Sequence, residues 1–426
     1  MCYNYTAMNE LIYLIQTPPF WLKTPPLSLF YLKAYLQKKG IKTKIIDLNM
    51  GIFKMLGAPL GKWLTLNADL ENNLFTFIET EYPLFLENVY KNIKSAPFIG
   101  FSLTKRNTPF TFKLAEKIKN RFPAKKIIFG GPNTLFLENV KKLDPQDCWV
   151  IGEGEIPLYE IIKNDKIRIA RFQEIEDLDT LPLYDFSPLD IHHYSNTLPL
   201  FSSRGCPFSC RFCTERKLTS TYRQHSPEYM VEQIRYLQKK YRVNSFVFCD
   251  SLINYRKNWL EDFCRLLINN DLKINWEAQA RITKNFSLTT AKLLKKSGCY
   301  NLFIGLESGS DIILKAMNKG FTTAIAQDFF RILSKAGIHF EISLILGYPG
   351  ENEKEFLQTV NFILKNKKNI PKIAQVNPFI DYSNLDLNEN YASATINNKV
   401  EKILNIFKRE NIKYTKSFIN NLMYSN

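Results

Sequence analysis

The sequence predicts an α/β chain of two units in series: an N-terminal Rossmann-like doubly wound parallel sheet, then a partial (β/α)6 TIM-type barrel, with a short helical C-terminal tail. Three observations carry this expectation. Short apolar runs alternate with helix-period segments through residues 1–165. Six more strand candidates follow, each separated from the next by a helix-length segment. Three cysteines, Cys206, Cys210 and Cys213, crowd one eight-residue window directly after the first of those six strands.

In the first unit the strand-like runs are 11–15, 44–48, 98–103, 126–130 and 149–152. The helix expected at 27–39 carries Leu29, Leu32, Tyr35 and Leu36 on one stripe, and Gly40 ends it as a C-cap. Strand followed by helix, repeated, gives a parallel sheet whose ligand crevice lies outside the strand carboxyl ends. Residues 53–94 read as a helical insertion rich in aromatics, with Trp63, Phe75, Phe77, Tyr82, Phe85 and Tyr90 expected as core rather than lid. Periodicity lapses at 167–194, where Leu181-Pro182-Leu183 and Ser187-Pro188 mark a connector. The expected boundaries are 1–165 for the first unit, 166–195 for the linker, 196–382 for the barrel and 383–426 for the tail.

The barrel strands are expected at 198–202, 245–249, 274–280, 302–306, 341–346 and 372–377. Ser226-Pro227-Glu228 opens a helix, with Ser as N-cap, Pro in the first turn and an acid facing the helix dipole, and His225 beside it reads as a loop residue. In the tail, Val400, Ile403, Leu404 and Phe407 form a helix-period apolar stripe.

The C-x3-C-x2-C spacing of Cys206, Cys210 and Cys213 suits three thiolates on three corners of a cubane iron-sulfur cluster, one metal position being left without a protein ligand. A Cys3His zinc site is the rival reading. It needs a fourth ligand, and His192, His193, His225 and His339 stand outside the short spacing that zinc loops favour. A disulfide framework does not suit 8 cysteines spread over 426 residues without a secretory signal. Cys2, Cys148, Cys249, Cys264 and Cys299 lie among apolar or helical residues, where reduced cysteine behaves as a small buried hydrophobe.

Composition narrows the function classes. With 45% hydrophobic residues the chain can bury two cores. The net charge of +16 comes from lysines spread along helices rather than from a basic block, so a solvated surface is the expected explanation, membrane-surface contact is the rival, and nucleic acid is not an expected partner. The first apolar run, 11–15, is too short for a signal or membrane helix, and a cytoplasmic protein is expected.

The cysteine run Ser203-Arg204-Gly205-Cys206-Pro207-Phe208-Ser209-Cys210-Arg211-Phe212-Cys213 resembles the signature of the radical S-adenosylmethionine (SAM) superfamily. The strand ends behind it match the family in order: Phe248-Cys249-Asp250-Ser251, Arg281, Gly305-Leu306-Glu307-Ser308-Gly309-Ser310 with Lys319-Gly320, and Gly347-Tyr348-Pro349-Gly350-Glu351, which resembles a common variant of the family's adenine-contact turn. The resemblance implies a 4Fe-4S cluster on Cys206, Cys210 and Cys213. It also implies SAM contacts from Phe212, Asp250, Arg281, Glu307, Ser308 and Gly347; for Arg281 an ordinary surface role is the rival. It weakens at Asn377-Pro378-Phe379-Ile380-Asp381-Tyr382, where relatives often carry a Pro-Gly-Thr turn.

The first unit resembles the cobalamin-binding domain that precedes the cluster motif in one class of these enzymes. The resemblance implies a corrin crevice lined by Ser102, Thr104, Gly130, Gly131, Glu153 and Gly154. No histidine precedes His192, so an axial imidazole from this unit is excluded. A Rossmann-like unit without ligand is the rival reading. In the family, one electron from the cluster cleaves SAM to methionine and a 5'-deoxyadenosyl radical, which abstracts hydrogen from an unactivated carbon. The expectation is a cobalamin-dependent methyltransferase acting on a natural product, peptide or lipid and served by a flavodoxin- or ferredoxin-like electron donor. Ring formation, oxidation or rearrangement without methyl transfer is the alternative, and a non-catalytic cluster-binding protein a third class. A tRNA methylthiotransferase would carry three further cysteines in its N-terminal domain, whereas only Cys2 and Cys148 precede this motif.

Overall fold

β1 (Leu11–Gln16) is buried at all six positions, as a strand covered on both faces must be. β2 (Lys42–Asp47) instead begins by alternating exposed and buried residues, which suits the edge it occupies. With β3 (Phe98–Ser102), β4 (Lys126–Gly130), β5 (Cys148–Ile151) and β6 (Ile169–Arg171) they form a six-stranded parallel sheet in the order β2-β1-β3-β4-β5-β6. The computed structural model describes residues 10–57, 63, 68–136, 146–164, 166–171, 173–380 and 394–415; Cys2, Asp381 and Tyr382 lie outside them. The chain divides into two compact units, one of residues Met1–Asn196 with Lys217–Ser220, the other Thr197–Arg216 with Thr221–Asn426.

In the first unit the order reverses between β1 and β3. A doubly wound sheet opens its crevice at that switch point, outside the strand carboxyl ends. The Leu27–Lys38 helix buries Leu29, Phe30 and Leu36, and Gly40 follows it at φ 83°. Asp47, at the end of β2, caps the Leu48–Leu56 helix by accepting from Met50 N at 2.9 Å. Trp63, Phe75 and Tyr90 of the aromatic insertion join the first core, while Phe77 is exposed. β6 falls inside the segment read as connector: a three-residue strand is too short to show a period.

The second unit opens with β7 (Thr197–Leu200), followed by a two-residue antiparallel ribbon, β8 (Ser203–Arg204) with β9 (Arg223–Gln224). β10 (Ser245–Phe248), β11 (Asn275–Ala280), β12 (Cys299–Glu307), β13 (His339–Leu346) and β14 (Lys372–Pro378) complete a parallel sheet in the order β14-β13-β12-β11-β10-β7. Each strand thus neighbours its successor, with helices between, as the one-directional winding of a (β/α) barrel requires. Ser226 Oγ accepts from Tyr229 N at 3.1 Å and starts the Pro227–Tyr241 helix. Trp276, Phe248 and Phe263 pack edge to face behind β10 and β11.

Cys148, Cys264 and Cys299 are buried, but Cys249 is exposed and departs from the buried role expected of it. Its position explains the difference. Phe246 and Phe248 of β10 turn into the core, so the period of two sends residue 249 to the other face.

Candidate active site

The cysteine loop leaves β7 through Ser202 and β8, and it is braced at its root by Asp250. That carboxylate is fully buried and accepts from Ser202 N at 3.0 Å, Ser202 Oγ at 2.7 Å and Ser203 Oγ. Burial pushes it up to about 6, against the opposing pull of the Ser203 and Ser202 hydrogen bonds. Asp250 therefore lies in the wall of the site, its oxygens engaged by the loop.

Beyond the brace, the loop is tied to residues 317–320. Arg211 N donates to Met317 O at 3.0 Å, and Asn318 Nδ2 donates to Ser209 O and Oγ at 2.9 Å. Cys213 N donates to Cys210 O at 3.1 Å, which folds the last two cysteines into one turn. Burial is the main cause that holds the Cys206 and Cys213 thiols above the ordinary range; the charge of Cys210 adds to it at Cys206, and at Cys213 the Glu215 carboxylate adds more than Cys210 and Cys206 do, so the three sulfurs share one neighbourhood. Among the described residues no three His, Cys, Asp or Glu side chains converge as a single metal ion would need; a cubane asks instead for one thiolate per iron. A soft thiolate trio on one loop fits such a cluster.

Arg281 follows β11. Its Nη1 donates to Cys210 Sγ at 3.3 Å, its guanidinium lies 3.8 Å from the Phe208 ring centroid, and its Nη2 donates to Lys319 O. It is half-buried rather than a free surface cation. Lys319 in turn reaches Glu307 Oε1 at 3.4 Å, with side chains 6% and 10% exposed. Glu307 Oε2 accepts from Ser343 Oγ at 3.0 Å. Glu307 holds φ 70°, unusual for a residue with a side chain, where the β12–β13 register slips between Gly305 and Glu307. Phe212 packs with Ile313, Met317 and Tyr348, and Lys319 Nζ stands 5.6 Å from its ring centroid.

Two other sequence candidates serve the wall. Ser308 is buried with its Oγ 3.1 Å from Thr359 Oγ1, and it accepts from Ser310 N at 3.1 Å. Gly347, at φ 76°, donates its N–H to Glu351 Oε2 at 2.6 Å. The strand ends thus gather Cys210, Arg281, Lys319, Glu307 and Phe212, while Asp250 and Ser308 hold the frame.

At the switch point of the first unit, Asn107 binds the carboxyl ends together. Its Nδ2 donates to Ser102 O at 2.9 Å and its Oδ1 accepts from Thr104 N at 2.7 Å. Thr17 and Thr111 hydroxyls meet at 2.6 Å. Gly131, at φ 95°, passes so close to Leu103 that an added Cβ would lie 2.7 Å from its N and O. Such a carbon on Gly130 meets only Val150 Cβ at 3.7 Å, and on Gly154 it meets Leu32 Cδ2 at 2.9 Å. Ile175 N lies 3.4 Å from Glu153 Oε2. Chain packing therefore accounts for Gly131 and Gly154, and Glu153 has a backbone partner.

Gln16 escapes the sequence, and Asn49 shows there only as the end of the Asp47-Leu48-Asn49 strand terminus, with no role attached. Both are buried at this edge, and among the described residues Gln16 Oε1 and Asn49 Nδ2 lack hydrogen-bond partners, although Asn49 Oδ1 accepts from Phe20 N at 2.8 Å and Trp63 Nε1 at 3.0 Å. Buried polar atoms left open at a switch point fit a polar ligand such as a corrin with amide side chains. Their signal in the sequence was position alone, directly at the ends of β1 and β2.

A family profile described as the radical SAM superfamily matches residues 200–363. An uncharacterized methyltransferase of Pyrococcus horikoshii is 27% identical, over 72% of this chain and 73% of its own length. An anaerobic magnesium-protoporphyrin IX monomethyl ester cyclase of Synechocystis is 23% identical, over 68% of this chain and 64% of its own. Among solved structures, the cobalamin-dependent S-adenosylmethionine radical enzyme OxsB, with aqua-cobalamin and S-adenosylmethionine bound, matches with a TM-score of 0.68 at 19% identity. That likeness of fold covers 94% of this chain, which spans 56% of the OxsB chain. No helix among the described residues is long and apolar enough to cross a membrane.

Proposed function

Because residues 200–363 match the radical SAM superfamily, we propose that this chain is a cobalamin-dependent methyltransferase that acts on an unactivated carbon of a natural product, peptide or lipid. The observation that carries the reading is one constellation: the loop of Cys206, Cys210 and Cys213 set against Arg281, Lys319 and Glu307 at the strand carboxyl ends of the second unit. When bound, a 4Fe-4S cluster held by the three cysteines supplies the electron that cleaves SAM, and cobalamin supplies a methyl carrier.

The chain's own residues do the positioning. Asp250 fixes the root of the loop through Ser202 and Ser203. Arg281 places a cation against Cys210 and bonds Lys319 O. The Glu307–Lys319 pair offers a carboxylate and an ammonium to the polar end of SAM, while Phe212 shields the loop from water. In the first unit, Gln16 and Asn49 offer amide groups to a corrin, beside Ser102 and Thr104. A flavodoxin- or ferredoxin-like donor supplies electrons, and the cytoplasm is the compartment that suits an oxygen-sensitive cluster.

The cyclase relative favours a second reading, radical ring formation without methyl transfer. Anaerobic reconstitution with iron, sulfide, reductant and hydroxocobalamin separates the two. Cluster loading with SAM cleavage and a corrin band retained after desalting supports the methyltransferase. SAM cleavage without a retained corrin band moves the assignment to the second reading. Fewer than about three irons per chain, or intact SAM, sinks both.

A further inference from the structure

The C-terminal tail carries an apolar stripe that the proposed chemistry leaves unused. In the Ala394–Arg409 helix, Val400, Ile403 and Phe407 are buried, and the chain then returns to β14. Ile373 N donates to Lys413 O at 2.9 Å and Thr415 N donates to Ile373 O at 3.1 Å, so Tyr414 forms a parallel bridge to Ile373. β14 is the last strand of its sheet, and this bridge pairs part of its open edge. A segment fastened by its stripe and by backbone pairing is a fixed part of the second unit.

Its first turns meet the loop after β13. A Cβ built on Gly347 would lie 2.6 Å from both Ile396 Cδ1 and Ile396 Cγ1, so the isoleucine fills that side of the turn. Lys399 Nζ donates to Glu351 O at 3.0 Å and to Glu351 Oε2 at 3.2 Å. The same Oε2 accepts from Gly347 N at 2.6 Å. The Glu351 side chain is fully buried, Lys399 is 12% exposed, and Glu351 Oε1 has no hydrogen-bond partner among the described residues. A buried carboxylate with one open oxygen depends on its cation, and Lys399 is the cation that the helix brings.

We propose that the Ala394–Arg409 helix is a built wall of the SAM site, in which Lys399 and Ile396 position the 347–351 turn for the nucleoside end of SAM. This rests on the reading that the turn receives that nucleoside. With Ile396 filling one side of Gly347, the nucleoside lies against the other. Lys399 and Ile396 are positioning residues, acting through Glu351 and Gly347.

The test uses the full chain with Lys399→Met, Lys399→Arg and Ile396→Ala. Amide hydrogen exchange at Gly347 is followed in the metal-free protein, and SAM affinity by equilibrium dialysis after reconstitution. Lys399→Met is expected to speed Gly347 exchange and weaken SAM roughly tenfold at unchanged iron content, with Lys399→Arg restoring most of both. Ile396→Ala, which keeps the ion pair, is expected to weaken SAM in the same direction. SAM affinity within about twofold of wild type in both Lys399→Met and Ile396→Ala overturns the proposal. A wild-type protein that loads its cluster but binds no SAM overturns the underlying site reading instead, and Gly347 exchange unchanged in Lys399→Met overturns the positioning role even then.

Discussion

Arg281 Nη1 stands 3.3 Å from Cys210 Sγ, and the rest of Arg281 is arranged to keep it there. Its backbone is clasped by Asn254, which accepts from Arg281 N at 2.9 Å and donates to Arg281 O at 2.8 Å. Phe208, two residues before Cys210, lies under the guanidinium at 3.8 Å. A planar cation held on a ring, with a thiol at its edge, favours negative charge on that sulfur.

The first prediction follows from that contact. A cluster gains negative charge on reduction, so a fixed cation beside one of its thiolates makes reduction easier. Arg281→Gln is expected to lower the cluster midpoint potential by about 59 mV, a tenfold change in a one-electron equilibrium, with iron content unchanged. Redox titration followed by electron paramagnetic resonance measures it. A potential equal to wild type, accompanied only by weaker SAM binding, would return Arg281 to a purely substrate-facing role.

Asp250 sets a pH dependence. Burial raises its carboxyl to about 6 in the folded chain from an ordinary 3.8. The folded state then holds the proton more tightly than the unfolded state. Its stabilising share is complete below the ordinary value and is lost as pH rises through about 6, amounting to roughly 3 kcal/mol. Asp250→Asn keeps an acceptor for Ser202 and lacks this proton, so its stability relative to wild type should rise between pH 4 and pH 7. Urea unfolding across that range tests the sign, and a flat difference rejects it.

Glu307 and Lys319 form a buried pair 3.4 Å apart, so removing either partner strands the other. Lys319→Met and Glu307→Gln should each cost about 3 kcal/mol, and the double variant less than their sum. A double-mutant cycle by denaturant unfolding gives the coupling. SAM affinity should fall in the double variant even where stability recovers, because both offered groups are gone.

Much of this was legible in the sequence because burial on both faces writes itself as apolar runs. All five first-unit runs and all six barrel runs became strands, within a few residues at their ends. Ser226-Pro227-Glu228 announced its helix by cap chemistry alone. What escaped depends on contacts between residues distant in sequence. Asp250 could be read as a strand-end acid, but nothing local says that Ser202 and Ser203, 48 and 47 residues away, consume its oxygens. Gly347 carries no mark of Ile396, and Asn49 none of Trp63.

Gly130 and Gly131 separate packing from ligand contact in the first unit. Gly131 sits at φ 95° with Leu103 N and O each 2.7 Å from an added Cβ, whereas Gly130 has room, Val150 Cβ being 3.7 Å away. Gly131→Ala should cost about 3 kcal/mol through left-handed strain and backbone collision, and Gly130→Ala under about 1 kcal/mol. Hydrogen exchange of the β3 and β4 amides in the full chain measures both. Corrin retention after desalting then discriminates further. If Gly131→Ala alone loses the band, the turn shapes the crevice through Leu103; if Gly130→Ala loses it at unchanged stability, a methyl group there has met the corrin itself, and Gly130 is part of the lining.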